Sequence, residues 1–499
     1  MIAVWQPPGK SRINGFDNVV IFSHSQAIEA GAQTSTEGIM SSNTPPLKFS
    51  ERLGYGLGDT ASNFFFQTFN IFLLYYYTEV FGISAAAVGT MFFVTKLWDA
   101  INDPLMGAIA DRTQTRWGKF RPYLLFIAVP YGLMGFLMFA NPDFGDTGKL
   151  VYAFVTYTAM MMLYTAINVP YSALMGVMTP SSTERTVLSS FRFVGAFGGG
   201  LLISMLVRPM VTYFGAEDEA MGFRITMAIF AVMSIAFFWI TFATTKERVE
   251  SSPEEKVSIK NDLSILLANR PWIVLCFAGI FTLSSIAMKS AVTIHYFKYH
   301  VMDDGSAYFL FFDKTSLFLT LNSLVLIIGV SATKFLSDRF EKRSLMIWLS
   351  LANAFFTASL FFISPDNYWT LAFFSCLGAL VSGPTAPLVW SMYGDVADYG
   401  EYRFKRRTTG LIFSASMFAQ KFGLTIGAGL SGWLLSAFGY VANTEQSDTS
   451  MLGIKLLFTL IPAAIAMLNV GALMLYSLRD QEVEEIERSL LERRGALPA

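Results

Sequence analysis

The sequence predicts an all-α polytopic membrane protein with twelve transmembrane helices. Three observations carry this. Of the 499 residues, 53% are hydrophobic and only 15% are charged, where a soluble protein carries about 25%. Apolar stretches long enough to cross a bilayer as helices recur along the chain. Basic residues gather in alternate loops, the asymmetry that sets membrane orientation. The 38 glycines fit this class, since small residues let helices approach closely in lipid. A net charge of −1 leaves no electrostatic footprint for nucleic acid. Cys276 and Cys376 both lie in apolar runs. They read as buried small hydrophobes rather than a disulfide framework.

Taken in order, residues 1–52 form a polar tail without the basic and apolar blocks of a signal peptide. Met40 is the expected true start, with 1–39 either a mis-assigned extension or a disordered tail. Span 1 covers 53–78; Asp59, Asn63 and Gln67 recur there at i, i+4 and i+8, a polar stripe on an apolar helix. Span 2 covers 85–110 and holds Asp99 and Asp103, one helical turn apart on one face, with Asn102 flanking them. A carboxylate at the bilayer centre is unfavourable by about 3 kcal/mol, so an acid pair there marks a functional site. Clustered hard oxygens suit a small cation, and close acids raise one another's affinity for a proton. The alternative is a structural ion pair with Lys96, one turn before Asp99.

The remaining spans are 122–141, 150–178, 188–212, 223–245, 270–296, 308–335, 344–364, 368–393, 409–438 and 453–478. Arg112, Arg116, Lys119 and Arg121 follow span 2, Lys246, Arg248, Lys256 and Lys260 follow span 6, Arg339, Lys342 and Arg343 follow span 8, and Arg403, Lys405, Arg406 and Arg407 follow span 10. Loops 79–84 and 365–367 carry no basic residue. Both termini are therefore expected in the cytoplasm. The charged stretch divides the chain into an N-terminal six-helix bundle (53–245), a cytoplasmic linker (246–269) and a C-terminal six-helix bundle (270–478). A matched placement supports a repeat: Asp111-Arg112 with Arg116 after span 2, and Asp338-Arg339 with Lys342 after span 8. Lys289 lies deep in span 7, either as a substrate contact or as a partner for an acid of the other half. His295 and His300 read as interfacial residues at that span's outer end, not as proton relays. In the tail 479–499, Val483, Ile486, Leu490 and Leu491 recur at helical spacing. This amphipathic helix either lies on the membrane or caps the bundle.

The run Trp98-Asp99-Ala100-Ile101-Asn102-Asp103-Pro104-Leu105-Met106-Gly107, followed by Asp111-Arg112 and by Arg116-Trp117-Gly118-Lys119-Phe120-Arg121-Pro122, resembles the glycoside–pentoside–hexuronide:cation symporters of the major facilitator superfamily. Tyr55-Gly56-Leu57-Gly58-Asp59, Tyr75-Tyr76-Tyr77-Thr78 and Asp395-Val396-Ala397-Asp398-Tyr399-Gly400-Glu401-Tyr402 extend the likeness over about 52–480. The resemblance implies a major facilitator fold of two six-helix halves carrying a sugar with Na+, H+ or Li+. It places a cation site on Asp99, Asn102, Asp103 and Thr165. It places a sugar site at Asp59, Asn63, Asn168, Arg192 and Lys421, with Gln67 continuing the stripe. Melibiose-type members would carry acids where Asn63 and Asn168 stand, so another glycoside or a uronide is implied here. Tyr164, Tyr171, Trp390 and Tyr393 either stack on a sugar or simply pack.

The function this supports is import of a glycoside or hexuronide with Na+ or H+ by alternating access, with Asp111, Arg112, Arg116, Asp338 and Arg339 closing the cytoplasmic end in the outward-facing state. No G-x-x-x-x-G-K-[ST] motif is found, and no enzymatic constellation. One cation moving down 100 mV supplies about 2.3 kcal/mol, roughly a 50-fold accumulation. No cofactor beyond the coupling ion is expected, and the partners are the sugar, the ion and the bilayer, with the chain acting as a monomer. Two alternatives stay open: a lysolipid or amphiphile carrier of the same superfamily, and a sugar-binding sensor. With Arg192, Lys421 and Lys289 near the cavity, the site charge leans towards an acidic sugar, unless Arg192 and Lys421 pair with Asp59 or Asp395.

Overall fold

The computed structural model describes residues 47–249, 266–405 and 409–493. The expectations for residues 1–39, for most of the linker and for Arg406 and Arg407 lie outside the described residues, as do the side chains of Asp99, Asp111 and Leu491. The described chain is helical throughout and forms no strand. Its crossings are α1 (49–80), α2 (Ala85–Arg112), α3 (Arg121–Leu137), α4 (Asp146–Met178), α5 (Ser182–Gly215), α6 (Glu219–Thr244), α7 (Arg270–Tyr299), α8 (Lys314–Ser331), α9 (Lys342–Phe362), α10 (Tyr368–Phe404), α11 (Thr409–Ala437) and α12 (Asp448–Met474). A short helix, α13 (Asp480–Arg493), follows. Among the described residues, the nine helices α4 to α12 are long and apolar enough to cross a membrane. Helix α1 falls short because it carries the polar stripe, and α3 because it is short and interrupted at Ile127; of α2, Ala85–Lys96 is a shorter apolar stretch.

Local chemistry sets the helix starts and breaks. Ser84, Ser181, Asp218, Asn269, Asp313 and Ser447 each cap a helix N-terminus by accepting from the backbone N–H of the third helical residue. Helix α10 breaks at Gly383-Pro384, where the proline has no N–H for the ladder. Helix α1 changes to π winding over Tyr76–Val80, a form that recurs at functional sites. That segment carries Glu79.

Packing repeats with a shift of six helices. Helix α1 lies against α5 and α6, α2 against α4, and α3 against α6; α7 lies against α11 and α12, α8 against α10, and α9 against α12. These are the two halves of a major facilitator fold. The halves meet mainly through α2 with α11 and α5 with α8. Both kinds of contact need glycine. A Cβ on Gly195 would stand 2.1 Å from the Gly56 carbonyl oxygen, and one on Gly432 would stand 2.4 Å from that of Ala85. Helix α13 caps the bundle: Val483, Ile486 and Leu490 are buried in the cluster that includes α10 residues, and Asp480 accepts from the Lys342 N–H at 3.0 Å.

The two ends of the bundle differ. At the end carrying Glu79, ion pairs cross between the halves. Arg208 of α5 reaches Asp313 at the start of α8 at 3.0 Å, with side chains only 9% and 2% exposed. Lys298 of α7 reaches Glu79 at 2.7 Å, and Tyr299 donates to the same carboxylate at 2.7 Å. Tyr440 donates to it as well. His295 is not interfacial as the sequence suggested. It is fully buried between Tyr75 and Tyr440, with Nε2 3.1 Å from the Thr78 hydroxyl. At the basic end, the ion pairs among the described residues stay within one half: Arg52–Glu184, Arg248–Glu51 and Lys342–Asp395. The structure is thus latched at the Glu79 end by pairs that cross between the halves.

Candidate functional site

Helix α2 brings Asn102 and Asp103 to the junction of the halves, with Asp99 one turn earlier on the same helix. Thr165 of α4 donates its hydroxyl to Asp103 Oδ1 at 2.8 Å. The other Asp103 oxygen accepts from the Lys421 ammonium of α11. Three of the predicted residues, Asp103, Thr165 and Lys421, therefore meet at one carboxylate, and Asn102 adjoins it. Lys421 is the residue the resemblance places at the sugar site. It pairs with an acid, and the acid is Asp103 rather than Asp59 or Asp395. The Asp103 and Lys421 side chains are 28% and 36% exposed, so water screens the pair. Such pairs contribute about 0–1 kcal/mol. The Arg208–Asp313 pair, in contrast, is buried.

The stripe on α1 turns towards α5. Arg192 Nε donates to Asp59 Oδ2 at 3.1 Å and its guanidinium lies 5.4 Å from the Tyr171 ring. Asn63 donates back to the Asp59 carbonyl at 2.9 Å. Asn168 accepts from Ser62 at 2.7 Å and donates to the Tyr164 carbonyl at 3.0 Å. Asp59, Asn63 and Arg192 thus form one group that ties α1 to α5, and Asn168 ties α4 to α1. The acidic-sugar argument from Arg192 and Lys421 loses its force, because both cations are matched by carboxylates of this chain.

Gln67 alone of that set lines the cavity between the halves. The cavity is about 300 Å³ and is walled by α1, α5, α7, α8, α9 and α10. Lys289, Ser375 and Asn322 project from the α7, α10 and α8 walls. Of the aromatics, Tyr171 is fully buried and stacked on Tyr55 at 4.7 Å, and Tyr393 is fully buried beside Trp390. Tyr164 stacks on Phe66 and Trp390 on Phe413. Tyr171 and Tyr393 pack rather than offer a face to a sugar.

Arg112, Arg116, Asp338 and Arg339 are exposed at the basic end. The Arg116–Pro122 run has a further role that sequence reading missed. Glu247, past the end of α6, accepts from the backbone N–H groups of Lys119, Phe120 and Arg121 at 2.8–2.9 Å. It is an anion seated at the start of α3. Gly118 is required there: its φ is +110° and a Cβ would stand 2.5 Å from the Glu247 carboxylate. The cross-half latch of Arg208, Asp313, Glu79 and Lys298 was also missed. Buried ionisable residues in apolar helices were its one sequence signal.

The model of the family described as MFS/sugar transport protein matches residues 54–480. The putative glycoside/cation symporter YagG of Escherichia coli (strain K12) is 37% identical over 452 residues, covering 90% of this chain and 96% of that protein. The isoprimeverose transporter of Lactiplantibacillus pentosus is 35% identical over 468 residues, covering 93% and 94%. Among solved structures, the nucleoside transporter NupG superposes with a TM-score of 0.61 at 13% identity, covering 86% of this chain and 98% of that one. That likeness concerns the fold alone. The chain belongs to the MFS/sugar transport family and, within the major facilitator superfamily, to the glycoside–pentoside–hexuronide:cation symporters.

Proposed function

We propose that this protein is a secondary active symporter that imports a glycoside or uronide with Na+ or H+ by alternating access. The observation that carries the reading is the carboxylate of Asp103, held by Thr165 of its own half and by Lys421 of the other. An entering Na+ takes the oxygens of Asp103 and Thr165, with Asn102 and Asp99 at hand on the same helix; a proton takes Asp103 directly. Either one releases the Lys421 ammonium. Helices α2 and α11, which that ammonium joins, are a principal contact between the halves. Ion occupancy thus bears on whether the halves can rock.

Basic loops on one side assign that side to the cytoplasm, with both termini. The Glu79 end, latched across the halves, then faces outward, and this supports reading the conformation as inward-facing. In the opposite state, Asp111, Arg112 and Arg116 close the inner end against Asp338 and Arg339. The protein works as a monomer in the bacterial inner membrane and needs no cofactor beyond its ion. An amphiphile carrier fits less well, because amide and hydroxyl groups of Gln67, Asn322 and Ser375 face the cavity. The test is a thermal-shift screen of the purified protein against neutral glycosides and uronides, with and without Na+ and across pH. The expected result is a rise in melting temperature with one sugar class that grows when the coupling ion is present. Stabilisation by lysolipids alone would remove the sugar reading.

A further inference from the structure

We propose that Lys289 is the residue that selects the substrate's charge, its ammonium pairing in the central cavity with the carboxylate of an acidic sugar. This rests on the symport reading above. Lys289 lies deep in α7 and lines the cavity between the halves. It donates to the Ser375 hydroxyl at 3.4 Å and stands 5.5 Å from the Phe458 ring. Ser375 gives its own proton to Asn322 at 2.8 Å, so a lone pair is all it offers the ammonium. A hydroxyl and a ring face do not neutralise a cation.

Four other cations of the spans do have acids. Arg192 pairs with Asp59, Arg208 with Asp313 and Glu219, Lys342 with Asp395, and Lys421 with Asp103. No described carboxylate pairs with Lys289. A charge at membrane depth without a partner is strongly unfavourable, and here the missing partner faces a space large enough for a ligand. The opposite wall supplies Gln67, whose amide has no hydrogen-bond partner among the described residues. It can serve sugar hydroxyls as both donor and acceptor. One group from each half therefore addresses the same ligand: an amide for hydroxyls and an ammonium for an anion.

The test compares 4-nitrophenyl glucuronide with 4-nitrophenyl glucoside, in both anomers, as inhibitors of uptake and as ligands of the purified protein. The wild type is expected to prefer the glucuronide by about 10- to 100-fold, the range of a hydrogen-bonded charge pair. Lys289→Gln should bring the two within a few fold, and Lys289→Arg should keep most of the preference. Ligand-free Lys289→Gln should also melt at or above the wild-type temperature, since an unpaired charge is removed. A fall in that temperature would make Lys289 part of a structural pair and overturn the assignment. So would equal binding of both sugars by wild type, or a glucuronide preference that Lys289→Gln leaves intact. If neutral glycosides alone are bound and accumulated, the Lys289 assignment fails and symport stands. If neither sugar is bound, both fail.

Discussion

Asp103→Asn is expected to reach the membrane folded and to move sugar down its gradient, yet to lose accumulation altogether. The amide matches the carboxylate in volume and still accepts the Thr165 hydroxyl that now lies 2.8 Å away. It carries no charge, so it neither holds a hard monovalent ion well nor takes up a proton. It also leaves Lys421 without its counter-ion. A wild-type accumulation of about 50-fold at 100 mV should fall to about onefold. Uptake of labelled sugar into energised vesicles gives the accumulation ratio, and exchange of sugar across the membrane without a gradient confirms that the carrier still cycles. Lys421→Gln separates the two halves of the argument. It frees Asp103 from its tethered cation, so ion binding should tighten while coupling weakens. Normal accumulation by Asp103→Asn would show that the acid is structural.

The second large effect concerns the latched end. Arg208→Ala strands Asp313, which is 2% exposed and pairs with no other cation among the described residues. Removing one partner of a buried pair costs about 3–5 kcal/mol. That penalty falls only on the state in which the two halves touch there, so the ratio of outward- to inward-facing molecules should rise by about 10²–4×10³. A cysteine at Ser204 in the cavity wall, in a background lacking Cys276 and Cys376, should become reactive to an impermeant maleimide added outside. The double exchange Arg208→Asp with Asp313→Arg should restore protection in part, limited by the loss of the Glu219 contact. Unchanged labelling in Arg208→Ala would mean that the pair does not hold the outer end.

These residues also show what the sequence could and could not reveal. The helical fold was readable because lipid demands long apolar runs, and nine of the crossings announce themselves that way. Asp103 was readable for the opposite reason, as a carboxylate where none belongs. Its partner was not, since Lys421 lies 318 positions along the chain on a helix of the other half. The stripe of Asp59, Asn63 and Gln67 was seen correctly as one face of α1. Its division between a helix contact and a cavity wall depends on where α5 crosses, which periodicity cannot give. Similarly, the Arg116–Pro122 run reads as basic loop charge, and only its fold around Glu247 shows why Gly118 stands there. Lys289 looked out of place in the sequence. The absence of a described carboxylate beside it is a matter of tertiary packing, which the sequence does not give.

In the proposed symport, sugar and cation cross together through a site built on Asp103. Sugar-driven ion flux tests it most directly. Purified protein in liposomes, loaded with a pH- or Na+-sensitive dye and given an outside pulse of the preferred sugar with no ion gradient imposed, should draw H+ or Na+ inward with the sugar. The flux should be absent in Asp103→Asn. Sugar entry with no accompanying movement of either ion, at an equal rate in wild type and Asp103→Asn, would contradict it.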